Sequence, residues 1–266
     1  MGKTDGVTAP AFEKLKQPEG SNIRRVVAVM SGKGGVGKSS VAALMASGMV
    51  RRGHSAAVLD ADVTGPSIPK LFGLRGAPVV LESKLLPETS ASGVRIVSLN
   101  LLLEHEDDPV IWRGPLIASV VKQFWTDVLW GDVDYMFVDL PPGTGDAPLT
   151  VLQSVPVDGT IFVSTPQELS VTIVKKAVNM AKKLSTPVIG LVVNMGWLAC
   201  PYCGARIEPF GPVTAENVAE ELGIDLLGSL PIDPQISILG DGGRIEDYRQ
   251  PAVEEIVRKV ETAVPL

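Results

Sequence analysis

The chain has 266 residues, 45% of them apolar and 20% charged, a balance that supplies a sizeable core and excludes wholesale disorder. Its net charge of −6 argues against a nucleic-acid-binding surface, which is usually basic. Two cysteines in all exclude a disulfide-scaffold protein.

Residues 1 to about 23 carry Gly, Pro, Lys and Glu without periodicity and are expected to form a flexible leader. They have no apolar centre of a signal peptide. Position 6 is Gly, which fails the myristoylation pattern. No apolar run reaches bilayer length. The expected setting is the cytoplasm, without membrane or nucleic acid as partner.

From residue 24 the chain alternates. RRVVAVMS (24–31) is a β-branched run that predicts a buried strand. KSSVAALMASGMVRRG (38–53) spaces Val41, Leu44, Met45 and Met49 at helical intervals, with Gly53 as a stop. SAAVLDAD (55–62) predicts the next strand, and 73–93 an inserted hairpin or loop. VRIVSL (94–99) predicts a strand, and PLIASVVKQFWTDVLW (115–130) a helix with Pro in its opening turn. DYMFVDL (134–140) and GTIFVST (159–165) are predicted strands. A helix over 168–184, a strand over 187–195, a helix over 215–223, a strand over 225–231 and a helix over 251–264 complete the series. Apolar strands separated by helices predict an α/β domain over 24–266: a mostly parallel sheet with helices on both faces and right-handed crossovers.

SGKGGVGKSS (31–40) follows a predicted strand and opens a predicted helix. It satisfies G-x-x-x-x-G-K-[ST] from Gly32 to Ser39, the phosphate loop of P-loop NTPases. The small residues Gly32, Gly34, Gly35, Val36 and Gly37 let backbone N–H groups turn inward around an anion, and the helix N-terminus adds positive dipole. Lys38 reaches the β- and γ-phosphates of ATP, and Ser39 offers its hydroxyl to Mg²⁺. Ser40 closes the candidate nucleotide site. A second lysine, Lys33, sits early in the loop. It resembles the signature lysine of the deviant Walker A family, which includes the nitrogenase iron protein and the Min and Par positioning ATPases. That resemblance implies a lysine reaching across a dimer to the partner's nucleotide, like an arginine finger in trans.

Asp60 and Asp62 end a predicted strand. Ligands of open parallel sheets lie beyond the carboxyl ends of strands, so both carboxylates should face the phosphates. By resemblance, Asp62 orients or deprotonates the attacking water, and Asp60 supports Mg²⁺ through water. Plain strand-end capping is the alternative. Asp139 follows four apolar or aromatic residues in the Walker B pattern and should hold a Mg²⁺-bound water. The PPGTG run after it suits a switch loop. Strand order places Asn194 near the base; by resemblance it contacts adenine, and a turn-forming role is the alternative. Pro231 to Asp233 line the same pocket.

Cys200 and Cys203 lie in ACPYCGARIEPFG (199–211). As a redox tetrad, CPYC wants a helix N-terminus, but Gly204 and Pro209 forbid a stable helix there. As a metal site it is half of a four-thiolate cage, and His54 and His105 lie in other segments. A C₂ dimer supplies four thiolates, and Lys33 calls for a dimer independently. Trp197, Leu198 and Phe210 flank the pair as shield, interface or core.

The ordered set SGKGGVGKSS, DADVTGPSIPKLFG, WRGP (112–115), WGDVDYMFVDLPPGTGD, STPQELS, NMG and CPYCG resembles the Mrp/ApbC-type iron–sulfur cluster carrier ATPases over roughly residues 20 to 245. The resemblance implies a homodimer that holds a [4Fe–4S] cluster between Cys200 and Cys203 of two chains and passes it to apo-proteins under control of ATP and Mg²⁺. Some relatives carry an extra N-terminal domain or N-terminal cysteine cluster; residues 1–23 show neither. Two rivals stand beside this reading. One is a Min- or Par-type positioning ATPase acting on membrane or DNA, although the mixed charges of the last helix suit packing on the core better than lipid. The other is a zinc-bridged dimeric metallochaperone or adaptor, since zinc also accepts four sulfurs.

Overall fold

The computed structural model describes residues 14–62, 67–75, 78–81, 84–98, 114–168, 171–211 and 215–266. The strands are β1 (Asn22–Ser31), β2 (Ala56–Asp60), β3 (Val80–Leu81), β4 (Lys84–Leu85), β5 (Glu88–Thr89), β6 (Arg95–Ser98), β7 (Asp132–Asp139), β8 (Gly159–Ser164), β9 (Val188–Ala199), β10 (Arg206–Ile207) and β11 (Leu226–Pro231). One sheet runs in the order β10-β9-β8-β1-β7-β2-β6-β5, with β11 also on β9. Every pairing in it is parallel except those of the short strands β5 and β10. The inserted region forms the β3–β4 hairpin and then β5.

The β-branched runs become strands because both sheet faces are covered. In β1, Val26, Ala28 and Met30 enter one core while Val27 and Val29 enter the other, the period-2 alternation of a strand buried on both sides. Helices α3 (Gly114–Thr126), α4 (Asp146–Ser154), α5 (Val171–Lys183) and α6 (Ala215–Leu222) cover the first face. Helices α1 (Lys38–Arg51), α2 (Ile68–Leu71) and α8 (Pro251–Ala263) cover the second. Helix α7 (Pro234–Asp241) lies between β11 and α8 in the chain. The apolar stripe of α8, Val253, Ile256, Val257 and Val260, is fully buried. Its charged face is tied to α1 and the turn after it by Arg51–Glu254 at 2.6 Å and Arg52–Glu261 at 2.5 Å. No described helix is long and apolar enough to cross a membrane.

Of the expected leader, residues 1–13 lie outside the described residues, and 14–21 are held in place. Lys14 Nζ donates to Leu152 O at 2.5 Å and Val155 O at 3.2 Å, serving carbonyls that the end of α4 leaves without helical partners. Leu15 N donates to Ser154 O, and Trp125 Nε1 donates to Lys16 O. The polar composition of this segment hid its docking, because these bonds are to atoms more than a hundred residues away.

Candidate functional site

The parallel register brings three strand ends level. Val29 of β1 and Asp60 of β2 both pair with Asp139 of β7. The chain then leaves β1 through Gly32 to Gly37 and enters α1 at Lys38. Gly35 and Gly37 take φ of 84° and 79°, the left-handed region open to glycine. At Gly37 a Cβ would also meet Asn194 Nδ2 at 2.2 Å, so no other residue fits. The loop is pinned from within by Ser31 Oγ donating to Lys33 O. It is pinned from outside by Gly143 N, in the loop after Asp139, donating to Ser31 O.

The two lysines part company. Lys33 is exposed on the outer arm of the loop. Lys38 is 5% exposed, with Nζ 2.7 Å from Asp139 Oδ1 and 3.3 Å from Asp62 Oδ2. Three buried carboxyls, Asp60, Asp62 and Asp139, thus surround one buried ammonium. Burial pushes the Lys38 pKa down, but the charges of Asp139 and Asp62 outweigh it and leave it raised. Burial raises Asp139 against the Lys38 charge and hydrogen bonds from Lys38 and Ser39. Asp60 is pushed up to about 8, by burial first and the Asp139 charge second. Bonds from Ser98 Oγ at 2.8 Å and Asp62 N at 3.1 Å oppose that rise. Ser98, at the end of β6, is a site residue the sequence reading missed. Its signal was available: a hydroxyl at the carboxyl end of a parallel strand.

Asp139 Oδ2 is fully buried and has no hydrogen-bond partner among the described residues, although an orphaned buried oxygen is costly. Together with the Ser39 hydroxyl it forms a hard-oxygen donor set of the kind Mg²⁺ takes beside phosphate, so the residues fit that ion. Among the described residues no group of three or more His, Cys, Asp or Glu side chains forms a metal cage by itself.

The raised Asp60 carboxyl has a measurable consequence. Between its unfolded pKa near 4 and its folded value of about 8, the folded chain holds a proton that the unfolded chain has lost. Stability therefore falls as pH rises through that window. In EDTA without nucleotide, the thermal midpoint is expected to drop from pH 5 to pH 8. Asp60→Asn should flatten that slope, and an equal slope in the variant would exclude Asp60 as its source.

Asn194 is buried in the middle of β9, where Nδ2 donates to Val36 O at 2.9 Å and Oδ1 accepts from Met195 N at 3.0 Å. It stands against the phosphate loop, with its amide engaged by that loop. Of the 231–233 stretch, Asp233 caps α7 by accepting from Gln235 N, and its other oxygen accepts from Tyr248 Oη.

The cysteines sit on a turn between β9 and β10. Cys200 N donates to Ala205 O, and Gly204 N donates to Cys200 O. No helix begins there, which removes the geometry a redox tetrad needs. The Tyr202 and Cys203 N–H groups, then the Cys203 thiol, hold the Cys200 pKa below the usual thiol value. Cys203 is exposed, Tyr202 is 96% exposed, and Trp197, Leu198 and Phe210 are half-buried. The Arg206 guanidinium lies over the Trp197 ring at 5.1 Å. Trp112 and Arg113 of the WRGP motif, and residues 63–66 after Asp62, lie outside the described residues.

Comparison with known proteins places this geometry. The family model described as "ParA: NUBPL iron-transfer P-loop NTPase" matches residues 22–264. An iron-sulfur cluster carrier protein of Clostridium perfringens is 43% identical over 254 residues, 92% of this chain and 89% of its own. Another, of Methanocaldococcus jannaschii, is 41% identical over 91% of this chain and 87% of its own. Among solved structures, a nucleotide-binding protein of Archaeoglobus fulgidus in complex with ADP, with Co found in it, superposes with a TM-score of 0.78. It is 43% identical, and the match covers 86% of this chain and 90% of that one. The cell division ATPase MinD of Pyrococcus furiosus has a TM-score of 0.66 at 20% identity, covering 90% of this chain and 98% of that one, a likeness of fold alone.

Proposed function

The chain belongs to the NUBPL-type, iron–sulfur cluster carrier family of P-loop NTPases, and from that premise we propose that it is an ATP-dependent carrier holding a [4Fe–4S] cluster between two copies of itself. The carrying observation is a half-built cage. Two thiols stand on an exposed knuckle in a chain with no other cysteine. They lie beyond the same carboxyl edge of the sheet as the buried Lys38–Asp139 pair. A second copy related by a two-fold axis brings the other two thiolates.

The nucleotide chemistry follows from the site's charges. Without ligand, Lys38 is the counter-ion of Asp139 and Asp62. The phosphates of ATP, received by the loop N–H groups and the start of α1, compete with those carboxylates for its ammonium. Mg²⁺, when bound, screens the β- and γ-phosphate oxygens. Ser39, the free lone pairs of Asp139 Oδ2 and, through water, Asp60 are the residues that would hold it. Asp62, beside Lys38 and 8% exposed, orients the attacking water and accepts its proton. Lys33, which is exposed, serves a facing chain's γ-phosphate in this reading, where negative charge develops.

The cargo is a substrate, taken up and handed to apo-protein thiols. Its test is anaerobic reconstitution with iron and sulfide. The expected product is a dimer carrying about four irons and four sulfides per two chains. A loaded monomer, or zinc without labile sulfide, would overturn the reading in favour of a different metal role for the thiols.

A further inference from the structure

We infer that Asn194 is a positioning residue that fastens the phosphate loop to the cysteine knuckle, so that the loop's nucleotide state sets the placing of the thiols. The inference rests on the reading of Cys200 and Cys203 as the cargo site and adds how the two sites communicate.

Strand β9 is the physical link. Up to Val193 it is held on both edges, by β8 through Ser164↔Val193 and by β11 through Ser229↔Val193. Beyond Val193 the contact with β8 ends, and the next register pair with β11 is Trp197↔Pro231. Four steps along β9 are thus set against two along β11, a bulge centred on residues 194–196. Bulges re-aim a strand. Met195 within it has φ 57°, one of two left-handed non-glycine residues among those described. At Gly196 a Cβ would meet Ser229 Oγ, so any side chain there would turn that hydroxyl aside. Asn194 opens this joint, and its amide ties it to the loop through the bond to Val36 O, beside the Gly37 peptide that begins α1. After the joint, Trp197 O accepts from Ile232 N, Ala199 pairs with Arg206, and Cys200 N closes the knuckle. A displacement of Val36 by bound phosphate therefore reaches the thiols through a single continuous strand, across about 20 Å at the usual rise per residue.

The measurement is the rate at which iodoacetamide alkylates Cys200 and Cys203 in the reduced, cluster-free dithiol protein. It is taken with no nucleotide, with Mg-ADP and with Mg-ATP, each at concentrations that saturate the variant used. In the wild type, nucleotide is expected to change the rate by about fivefold or more, the lower end of ordinary coupling between sites. Asn194→Asp keeps the shape and the acceptor for Met195 N but loses the donor to Val36. Met195→Gly leaves Asn194 intact and relaxes the left-handed joint. At those saturating concentrations both are expected to show rates that nucleotide no longer alters. Should the wild type show no nucleotide effect, or both variants keep the full effect, the inference is overturned. Because the assay needs no iron or sulfide, a failure of cluster uptake would leave this readout standing.

Discussion

Cys203→Ala is expected to abolish cluster loading while ATP binding persists. The reason is one of counting. In a two-fold dimer the substitution removes two of four thiolates at once, one from each chain. Disturbing only the hydrogen-bonded surroundings of a metal ligand costs roughly 10–100-fold in affinity, and losing half the ligands themselves must cost more. Iron and sulfide after anaerobic reconstitution should therefore fall below about a tenth of the wild-type content. The fold should not suffer, because Cys203 is exposed and belongs to neither core cluster. Cys200→Ser should act in the same direction. It keeps an oxygen acceptor for the Tyr202 and Cys203 N–H groups that point at residue 200, so its knuckle should hold. Nucleotide affinity, read by isothermal titration with Mg-ADP, is expected to stay within about tenfold in both, the scale of ordinary coupling between two sites. A Cys203→Ala protein that still carried a full complement of iron and sulfide would show that the cargo is held elsewhere.

The site divides into a part that local sequence dictates and a part that only the sheet assembles. The phosphate loop was legible because its chemistry is contiguous: glycines where φ is positive, then Lys38 and Ser39 at the first turn of α1. Asp60, Asp62 and Asp139 were legible as polar ends of apolar runs. Their mutual arrangement was not, because Lys38 meets Asp139 across 101 residues and no local pattern encodes that approach. Asn194 lies further still, its amide bonded to a carbonyl 158 residues away. The strand that carries it was expected to end at 195, where the sequence offers Met and then Gly. It continues to Ala199 because the bulge turns an apparent stop into a bend, and β10 pairs with Leu198 and Ala199 beyond it. Helix α4 escaped notice because it starts directly after the PPGTG run and carries Pro148 in its first turn, a place where proline is tolerated. Helix α7 did carry start signals, Asp233 as cap and Pro234 at its first position. Only Gly240 among its eight residues is buried, so no buried apolar stripe marks it.

Lys33→Ala is expected to lose ATP turnover while keeping nucleotide binding, and a mixing experiment separates the two ways this can happen. Lys38, not Lys33, occupies the buried centre of the site, so binding does not depend on the exposed lysine. If Lys33 works in trans, each active site is composed of one chain's Lys38 and Asp62 with the other chain's Lys33. A cation delivered to the transferring phosphoryl group in this way is worth about 10³–10⁵ in rate in related phosphoryl transfers. Homodimers of Lys33→Ala and of Asp62→Asn should then both be inactive. In a heterodimer of the two, one site combines the intact Asp62 of the first chain with the intact Lys33 of the second, and the other site lacks both. Random mixing makes about half the dimers heterodimers, each with one of two sites working, so about a quarter of wild-type turnover should return. If Lys33 acted within its own chain, every site in the mixture would lack either Lys33 or Asp62, and turnover would stay at the level of the separate variants. Recovery near a quarter would also fix the dimer as the hydrolytic unit. The phosphate site and the thiol site would then require the same assembly, and an exchange of subunits that breaks the cage would stop hydrolysis in the same step.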